Sequence, residues 1–209
     1  NPPYSTKWEG DSNPILINDS RFAPAGVLAP KTKADLAFTM HMLSWLSTDG
    51  TAAIVEFPGV LYRSGAEQKI RKYLIDNNYV DTVIQLPQNL FFGVSIATCI
   101  IVLKKSKKEN KTLFIDASQE FIHEGNKNKL SPDNISTILQ EYIDRKEVKH
   151  FSAYVDNATI AKNDYNLSVS SYVEAKETRQ ETNIQELNQR IRNIVAHENE
   201  LRAEIDKII

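Results

Sequence analysis

The chain has 209 residues, with 25 Lys plus Arg against 27 Asp plus Glu and a formal net charge of -2. With 41% hydrophobic residues and only 7 Gly and 8 Pro, it suits one globular domain with an appendage, and collagen-like, mucin-like and wholly disordered chains are excluded. The near-neutral balance excludes a histone-like polycation but not DNA contact through a local basic patch. The single cysteine, Cys99, excludes an internal disulfide framework and a multi-cysteine zinc site, and points to a reducing, cytoplasmic setting.

Residues 1–33 read as loop, rich in Asn, Pro, Ser, Asp and Gly and without apolar periodicity. Ala34 to Leu46 predicts a helix that is apolar nearly all round and therefore buried. After the Asp49-Gly50 turn, Thr51 to Phe57 is a short apolar run that predicts a buried strand, stopped by Pro58-Gly59. Ser64 and Glu67 have capping-box spacing, predicting a helix to about Asn77 with Ala66, Ile70 and Leu74 on one face. Tyr79 to Leu86 and Ser95 to Lys104 predict two further strands, and Thr112 to Ile115 a fourth. Ser131-Pro132 starts a helix reaching about Lys146, with a serine N-cap and proline at the first helical position. Residues 150–172 read as irregular, and from Val173 the chain reads as polar and helical to its end.

Strand–helix alternation over 34–104 indicates an α/β sheet. The loop between 79–86 and 95–104 is too short for a parallel crossover, so those two strands are expected to be antiparallel. The longest apolar run, Ile96 to Leu103, falls far short of the ~20 residues a membrane span needs. The first residues show neither a charged n-region nor an apolar h-region, so no signal peptide is expected there. It starts at Asn1 without Met, which suggests a piece of a longer protein.

Asn1-Pro2-Pro3-Tyr4 is the most informative stretch. Two prolines stiffen the turn and remove two backbone donors, leaving their carbonyls as acceptors. Asn1 adds an amide oxygen and Tyr4 a flat ring. Two acceptors at fixed spacing beside a stacking platform suit an exocyclic amine on a base taken out of its stack. A proline-rich turn with no chemistry is the competing reading of these four residues.

The stretches NPPYSTKW, DSRFAPAGVLAPKTKADLAFTMHML, AAIVEFPGVLYRSGAEQKIRKYL, VIQLPQNLFFGVSIATCIIVLKK, LFIDAS and NDYNLSVSSYV occur in that order. Together they resemble the modification (M) subunit of type I restriction–modification systems, a family of DNA adenine-N6 methyltransferases, over roughly residues 1–174. The resemblance implies the C-terminal part of a Rossmann-like, S-adenosylmethionine-dependent methyltransferase sheet. Residues 51–57 would be its fifth strand, 79–86 its sixth and 95–104 an antiparallel seventh inserted between them. It also implies that Asn1 and the Pro2 carbonyl hold the adenine amine, with Pro3 completing the motif and Tyr4 stacking on the flipped ring. An aromatic in the loop before the third strand, Phe92, would lie against the same base; anchoring of that loop in the core is the alternative. The family's cofactor-binding glycine loop precedes this motif, and Gly59 and Gly65 do not replace it. S-adenosylmethionine is therefore expected to bind mainly through an upstream half, and the chain alone is expected to be inactive.

Other features read more plainly. Lys104, Lys105, Lys107, Lys108 and Lys111 form a basic cluster, read as a solvated turn in preference to a phosphate contact. Arg63, Lys69, Arg71 and Lys72 form a second basic region. Cys99 reads as core, and the four histidines have no metal-ligand spacing, so no metal is expected. In the tail, Ile184, Leu187, Ile191, Ile194, Leu201, Ile205 and Ile208 make an apolar stripe interrupted at Glu198. Thr178 and Glu181 have capping spacing there. Such a stripe needs a partner surface, as in a coiled coil. The resemblance implies the specificity (S) subunit, in an assembly with DNA, a second M subunit and a restriction (R) subunit. The expected domains are 1–174, a partial catalytic domain, and 175–209, a helical docking segment. The rival reading is a non-catalytic interaction module that docks through its C-terminal helix.

Overall fold

The computed structural model describes residues 1–176 and 184–207. The chain divides into two units, Asn1–Ala175 and Lys176–Ile209. The first opens with a long coil containing short 3-10 turns. It continues through α1 (Asp35–Trp45), β1 (Thr51–Glu56), α2 (Ala66–Asp76), β2 (Val80–Gln85), β3 (Cys99–Lys104) and β4 (Lys111–Asp116). A hairpin of β5 (Ile122–Glu124) and β6 (Lys127–Lys129) precedes α3 (Pro132–Asp144), β7 (Ser152–Asp156) and α4 (Asn157–Lys162). The second unit holds α5 (Ile184–Ile205). Among the described residues, no helix is long and apolar enough to cross a membrane.

Five strands form one sheet in the order β1-β3-β2-β4-β7. β3 runs antiparallel between β1 and β2, as the short-loop argument and the resemblance both require. β2 and β4 are parallel, so the carboxyl ends of β1, β2 and β4 meet at one end of the sheet. Alternating side chains feed two cores. Ile54, Val83, Cys99, Ile101, Leu103 and Phe114 pack with α1, α2, α4 and the N-terminal coil. Ile84, Leu113 and Ile115 pack on the other face with Ile138 and Tyr142 of α3. Cys99 is buried, as read.

Several expectations need correction. β1 is not buried throughout: it alternates, with Thr51 and Ala53 exposed, because it lies at the sheet's edge and only one of its faces meets helices. Ser64 does not cap α2. Gly65 is the N-cap residue, with φ 75°, and no side chain bonds the first turn; Glu67 instead pairs with Arg63 at 3.1 Å. β3 starts at Cys99, four residues later than read, because residues 95–98 belong to the preceding loop. Residues 150–172 are not irregular but contain β7, α4 and a 3-10 turn. The sheet lends β7 its partner strand, and local sequence does not show this. Residues 174–176 are not helical. The Thr178–Glu181 capping spacing and Ile208 lie outside the described residues.

α3 begins as read. The Ser131 hydroxyl accepts the Asn134 amide at 3.2 Å, and Asn134 Oδ1 accepts the Ser131 amide at 3.0 Å, a reciprocal cap. Arg71, buried in α2, donates to the carbonyls of Val60, Arg63 and Tyr165. Leu167 N–H donates to Leu61 O at 2.8 Å. These bonds clamp the segment after α4 onto the turn that follows β1.

Candidate active site

The Asn1-Pro2-Pro3-Tyr4 turn is pinned from behind rather than packed from in front. Ser5, at φ 50°, donates its N–H to Asp35 Oδ1 at 2.7 Å, at the start of α1. The Thr6 hydroxyl donates to Pro3 O at 3.0 Å, and Ala34 N–H donates to Thr6 O at 2.8 Å. Pro3's carbonyl is thus used to close the turn. Among the described residues no hydrogen bond uses the Pro2 carbonyl. The Tyr4 hydroxyl donates to Asn1 Oδ1 at 3.1 Å, so all four motif residues belong to one small constellation. Tyr4's ring lies 6.5 Å from that of Phe57, tilted at 50°, just past the end of β1. Its hydroxyl pKa is raised by burial and by the nearby Glu56 and Cys99.

Behind the turn are buried acids that residue patterning did not single out. Glu56, the last residue of β1, is fully buried. Its Oε1 accepts the Thr39 hydroxyl at 2.8 Å, and its Oε2 has no partner among the described residues. Burial pushes its pKa up to about 7, the Thr39 bond opposes this, and Asp35 and Glu67 add to it. Asp35 Oδ2 is equally buried and unpartnered. Burial also raises Glu67, which Arg63 partly offsets. One signal was available: a glutamate inside the apolar run TAAIVEF, which must be paired, neutral or functional once the strand is buried.

The loop from Leu86 to Thr98 carries the second predicted aromatic. Phe92 is 99% exposed, so the alternative in which it anchors the loop fails. The anchors are its neighbours Leu90 and Phe91, which pack in the α3-side core. The β5–β6 hairpin holds this loop: Asn128 Nδ2 donates to Gln88 O at 2.8 Å and Lys127 Nζ to Phe91 O at 3.3 Å. Phe92 therefore stands free on a fastened backbone.

The basic cluster lies at the opposite end of the sheet, and much of it is not solvated. Lys104 and Arg145 both reach Asp81 Oδ2, at 3.4 and 2.6 Å. Lys105 Nζ donates to Leu46 O and Lys107 Nζ to Val80 O, each at 2.5 Å. Burial pulls the Lys107 ammonium down to about 8. Lys111 lies over the Tyr154 ring at 5.3 Å, and Lys108 remains exposed. The second basic region is also largely committed, with Arg71 on carbonyls, Arg63 on Glu67 and Lys72 on Asp76.

In the turn after β1 the Arg63 guanidinium lies against Gly59. A side chain at Gly59 would collide with the Arg63 guanidinium, which already fills that space.

The chain has relatives among known proteins. The N-6 DNA Methylase family model matches residues 1–181. The methylase subunit of the type I restriction enzyme MpnII from Mycoplasma pneumoniae is 50% identical over 210 residues, covering 100% of this chain and 39% of that protein. The MjaVII methylase subunit from Methanocaldococcus jannaschii is 34% identical over 215 residues, covering 98% of this chain and 37% of that protein. The crystal structure of a type I restriction-modification methyltransferase subunit from Streptococcus thermophilus matches with a TM-score of 0.81 at 44% identity, covering 83% of this chain and 37% of that one. The chain thus spans less than two fifths of the length of each of these relatives.

Proposed function

The chain belongs to the N-6 DNA methylase family, and from that premise we propose that it is the base-holding part of a type I DNA adenine-N6 methyltransferase subunit. The observation that carries the reading is the motif turn: a side-chain acceptor on Asn1, a Pro2 carbonyl that no hydrogen bond among the described residues uses, and the Tyr4 ring, fixed by Asp35 and Thr6. A flipped adenine stacks on Tyr4 and donates its two N6 hydrogens to Asn1 Oδ1 and Pro2 O. The Tyr4 hydroxyl gives up Asn1 Oδ1 to the incoming amine. Holding the amine by two acceptors orients its lone pair, and the acceptors favour the positive charge that develops on nitrogen during transfer. Phe92 offers a second aromatic face to the extruded base. Stacking of this kind contributes ~1–3 kcal/mol per base.

S-adenosylmethionine is the methyl donor that this family membership implies. The filled turn at Gly59 does not fit it, so its binding belongs to the upstream part that the longer relatives carry. Residues 1–174 act as the partial catalytic domain and 175–209 as a docking segment. The apolar face of α5, with Ile184, Leu187, Ile191, Ile194, Leu201 and Ile205 all exposed, supports docking to a helix of the specificity subunit. A second M subunit and a restriction subunit complete the assembly in the cytoplasm.

The test uses the longer protein that carries this chain, with adenine-N6 methylation of DNA as the readout. Asn1→Ala and Tyr4→Ala should each abolish transfer. Transfer at the unsubstituted rate in both variants overturns the assignment. Removing residues 178–209 should abolish capture of the specificity subunit while leaving the α/β unit folded. Retained capture overturns the docking role.

A further inference from the structure

Glu56 lies behind the motif turn and takes no part in holding the base. It is the last residue of β1, and the Tyr4 ring meets that of the next residue, Phe57, at 6.5 Å. Opposite it, α1 carries Asp35 and Thr39 one turn apart on one face, where residues i and i+4 stand about 5–6 Å from each other. Thr39 donates its hydroxyl to Glu56 Oε1 at 2.8 Å, and Asp35 Oδ1 accepts the Ser5 N–H at 2.7 Å. One turn of α1 thus touches both the end of β1 and the residue that follows Tyr4. Asp35, Thr39 and Glu56 are all buried.

Each acid has one oxygen left over. Glu56 Oε2 and Asp35 Oδ2 are buried and have no hydrogen-bond partner among the described residues. Two neighbouring buried carboxylates repel, and each bare oxygen carries a desolvation cost. One proton relieves both: it neutralises one acid and turns its bare acceptor into a donor for the other. The proton belongs on Glu56. Asp35 stands in the first turn of α1 and already accepts a backbone N–H, both of which make it the better acceptor. Among the described residues the Glu56 carboxyl receives only the neutral Thr39 hydroxyl. Burial pushes Glu56 up to about 7; Asp35 from α1 and Glu67 from α2 add to this, and the Thr39 bond and the Asn1 terminal amine oppose it. The Tyr4 hydroxyl from the coil and the Cys99 thiol from β3 also face it.

The turn needs such a hold. Ser5 has φ 50°, a left-handed backbone that a residue other than glycine keeps only when its surroundings impose it. The bond to Asp35 is the charged part of that hold, and the Ala34–Thr6 and Thr6–Pro3 bonds complete it. Fixing Asp35 therefore fixes the backbone that presents Tyr4 and, through its hydroxyl, Asn1. Glu56 can anchor Asp35 from the strand side, through the oxygen that Ser5 does not use.

We propose that Glu56 and Asp35 are positioning residues of the motif turn, joined by one shared proton that Glu56 Oε2 donates to Asp35 Oδ2 and that ties the turn to the end of β1. What the turn holds rests on the DNA reading above; the proton bridge does not. The first test follows the Glu56 carboxyl carbon resonance and the Ser5 amide resonance of the full 209-residue chain from about pH 5 to 8.5. Both should move together, with a midpoint near 7. Glu56→Gln keeps an acceptor for Thr39 and offers Asp35 an N–H in place of the proton, so the Ser5 step at that midpoint should vanish. A Ser5 amide that does not follow the Glu56 carboxyl, or that moves identically in Glu56→Gln, overturns the bridge. The second test uses the longer protein that carries this chain, with adenine-N6 methylation of DNA as the readout. Asp35→Ala should lower kcat about tenfold, as loss of one hydrogen bond to a charged acceptor implies, and change KM for DNA less than about twofold. Asp35→Asn, which can still accept from Ser5, should recover most of that rate. Asp35→Asn as slow as Asp35→Ala, or Asp35→Ala at the unsubstituted rate, overturns the positioning role. If the bridge titrates as expected while Tyr4→Ala transfers methyl at the unsubstituted rate, the DNA reading fails and the tether of the turn stands.

Discussion

The two ends of the sheet treat their charges in opposite ways. At the amino end of β2, one buried carboxylate, Asp81, is shared by Lys104 and Arg145, and the neighbouring Lys105 and Lys107 cap carbonyls. At the carboxyl end of β1, Glu56 and Asp35 each keep one buried oxygen without a partner among the described residues, and no hydrogen bond among them uses the Pro2 carbonyl. Paired charges close one end, while the other keeps buried acceptors without a protein partner among the described residues, at an energetic cost. The five clustered lysines were the more conspicuous sequence feature, yet most of their capacity is spent inside the fold.

The largest test of this contrast is Asp81→Ala. It leaves Arg145 and Lys104 facing each other without their shared anion, and should cost about 2–4 kcal/mol in urea unfolding. A cost under about 0.5 kcal/mol, the range of an ordinary surface change, would mean that this end is not closed by charge pairing.

At the other end, Glu56→Gln should stabilise. A carboxyl raised from 4.5 to about 7 binds more protons folded than unfolded across that interval, so stability falls as pH rises through it. At pH 8 the full penalty is present, and the amide, which carries none, should gain about 3 kcal/mol at most. Equal or lower stability of Glu56→Gln at pH 8 would show that the ionised carboxylate is satisfied.

The two ends should also be separable by pH. Lys107, lowered from 10.5 to about 8, binds fewer protons folded than unfolded between those values, so its contribution to stability rises with pH there. Relative to the unsubstituted chain, Glu56→Gln should reduce the fall in stability between about pH 4.5 and 7, and Lys107→Met should reduce the rise between about 8 and 10.5. An unchanged slope in either variant refutes its assignment.

The smallest effect belongs to Phe92→Ala. With the ring 99% exposed, unfolding should shift by less than about 0.5 kcal/mol, while single-stranded DNA binding weakens severalfold. Phe91→Ala, which removes packing from the α3-side core, should show the reverse pattern. A large stability loss at Phe92 would return it to an anchoring role.

Much of this was legible in the residues. The α1 helix, β1, β2, the antiparallel β3 between them and the Ser131 cap all follow from local rules: apolar periodicity, loop length, and serine followed by proline. The motif turn was legible because its chemistry sits in four consecutive residues. What only the tertiary structure decided involved partners distant in sequence. One correction is local: Glu67 pairs with Arg63, four residues before it, and Ser64 does not cap α2. β7 exists because β4 offers it an edge. Glu56 became a buried acid because α1 closed over the strand that carries it, with Thr39 donating to its carboxyl. Sequence alone determined most elements up to β4, the start of α3 and where the four motif residues stand. The tertiary structure decided which charges are spent and which acceptors stay open, because desolvation and pairing depend on neighbours that the chain brings together only when folded.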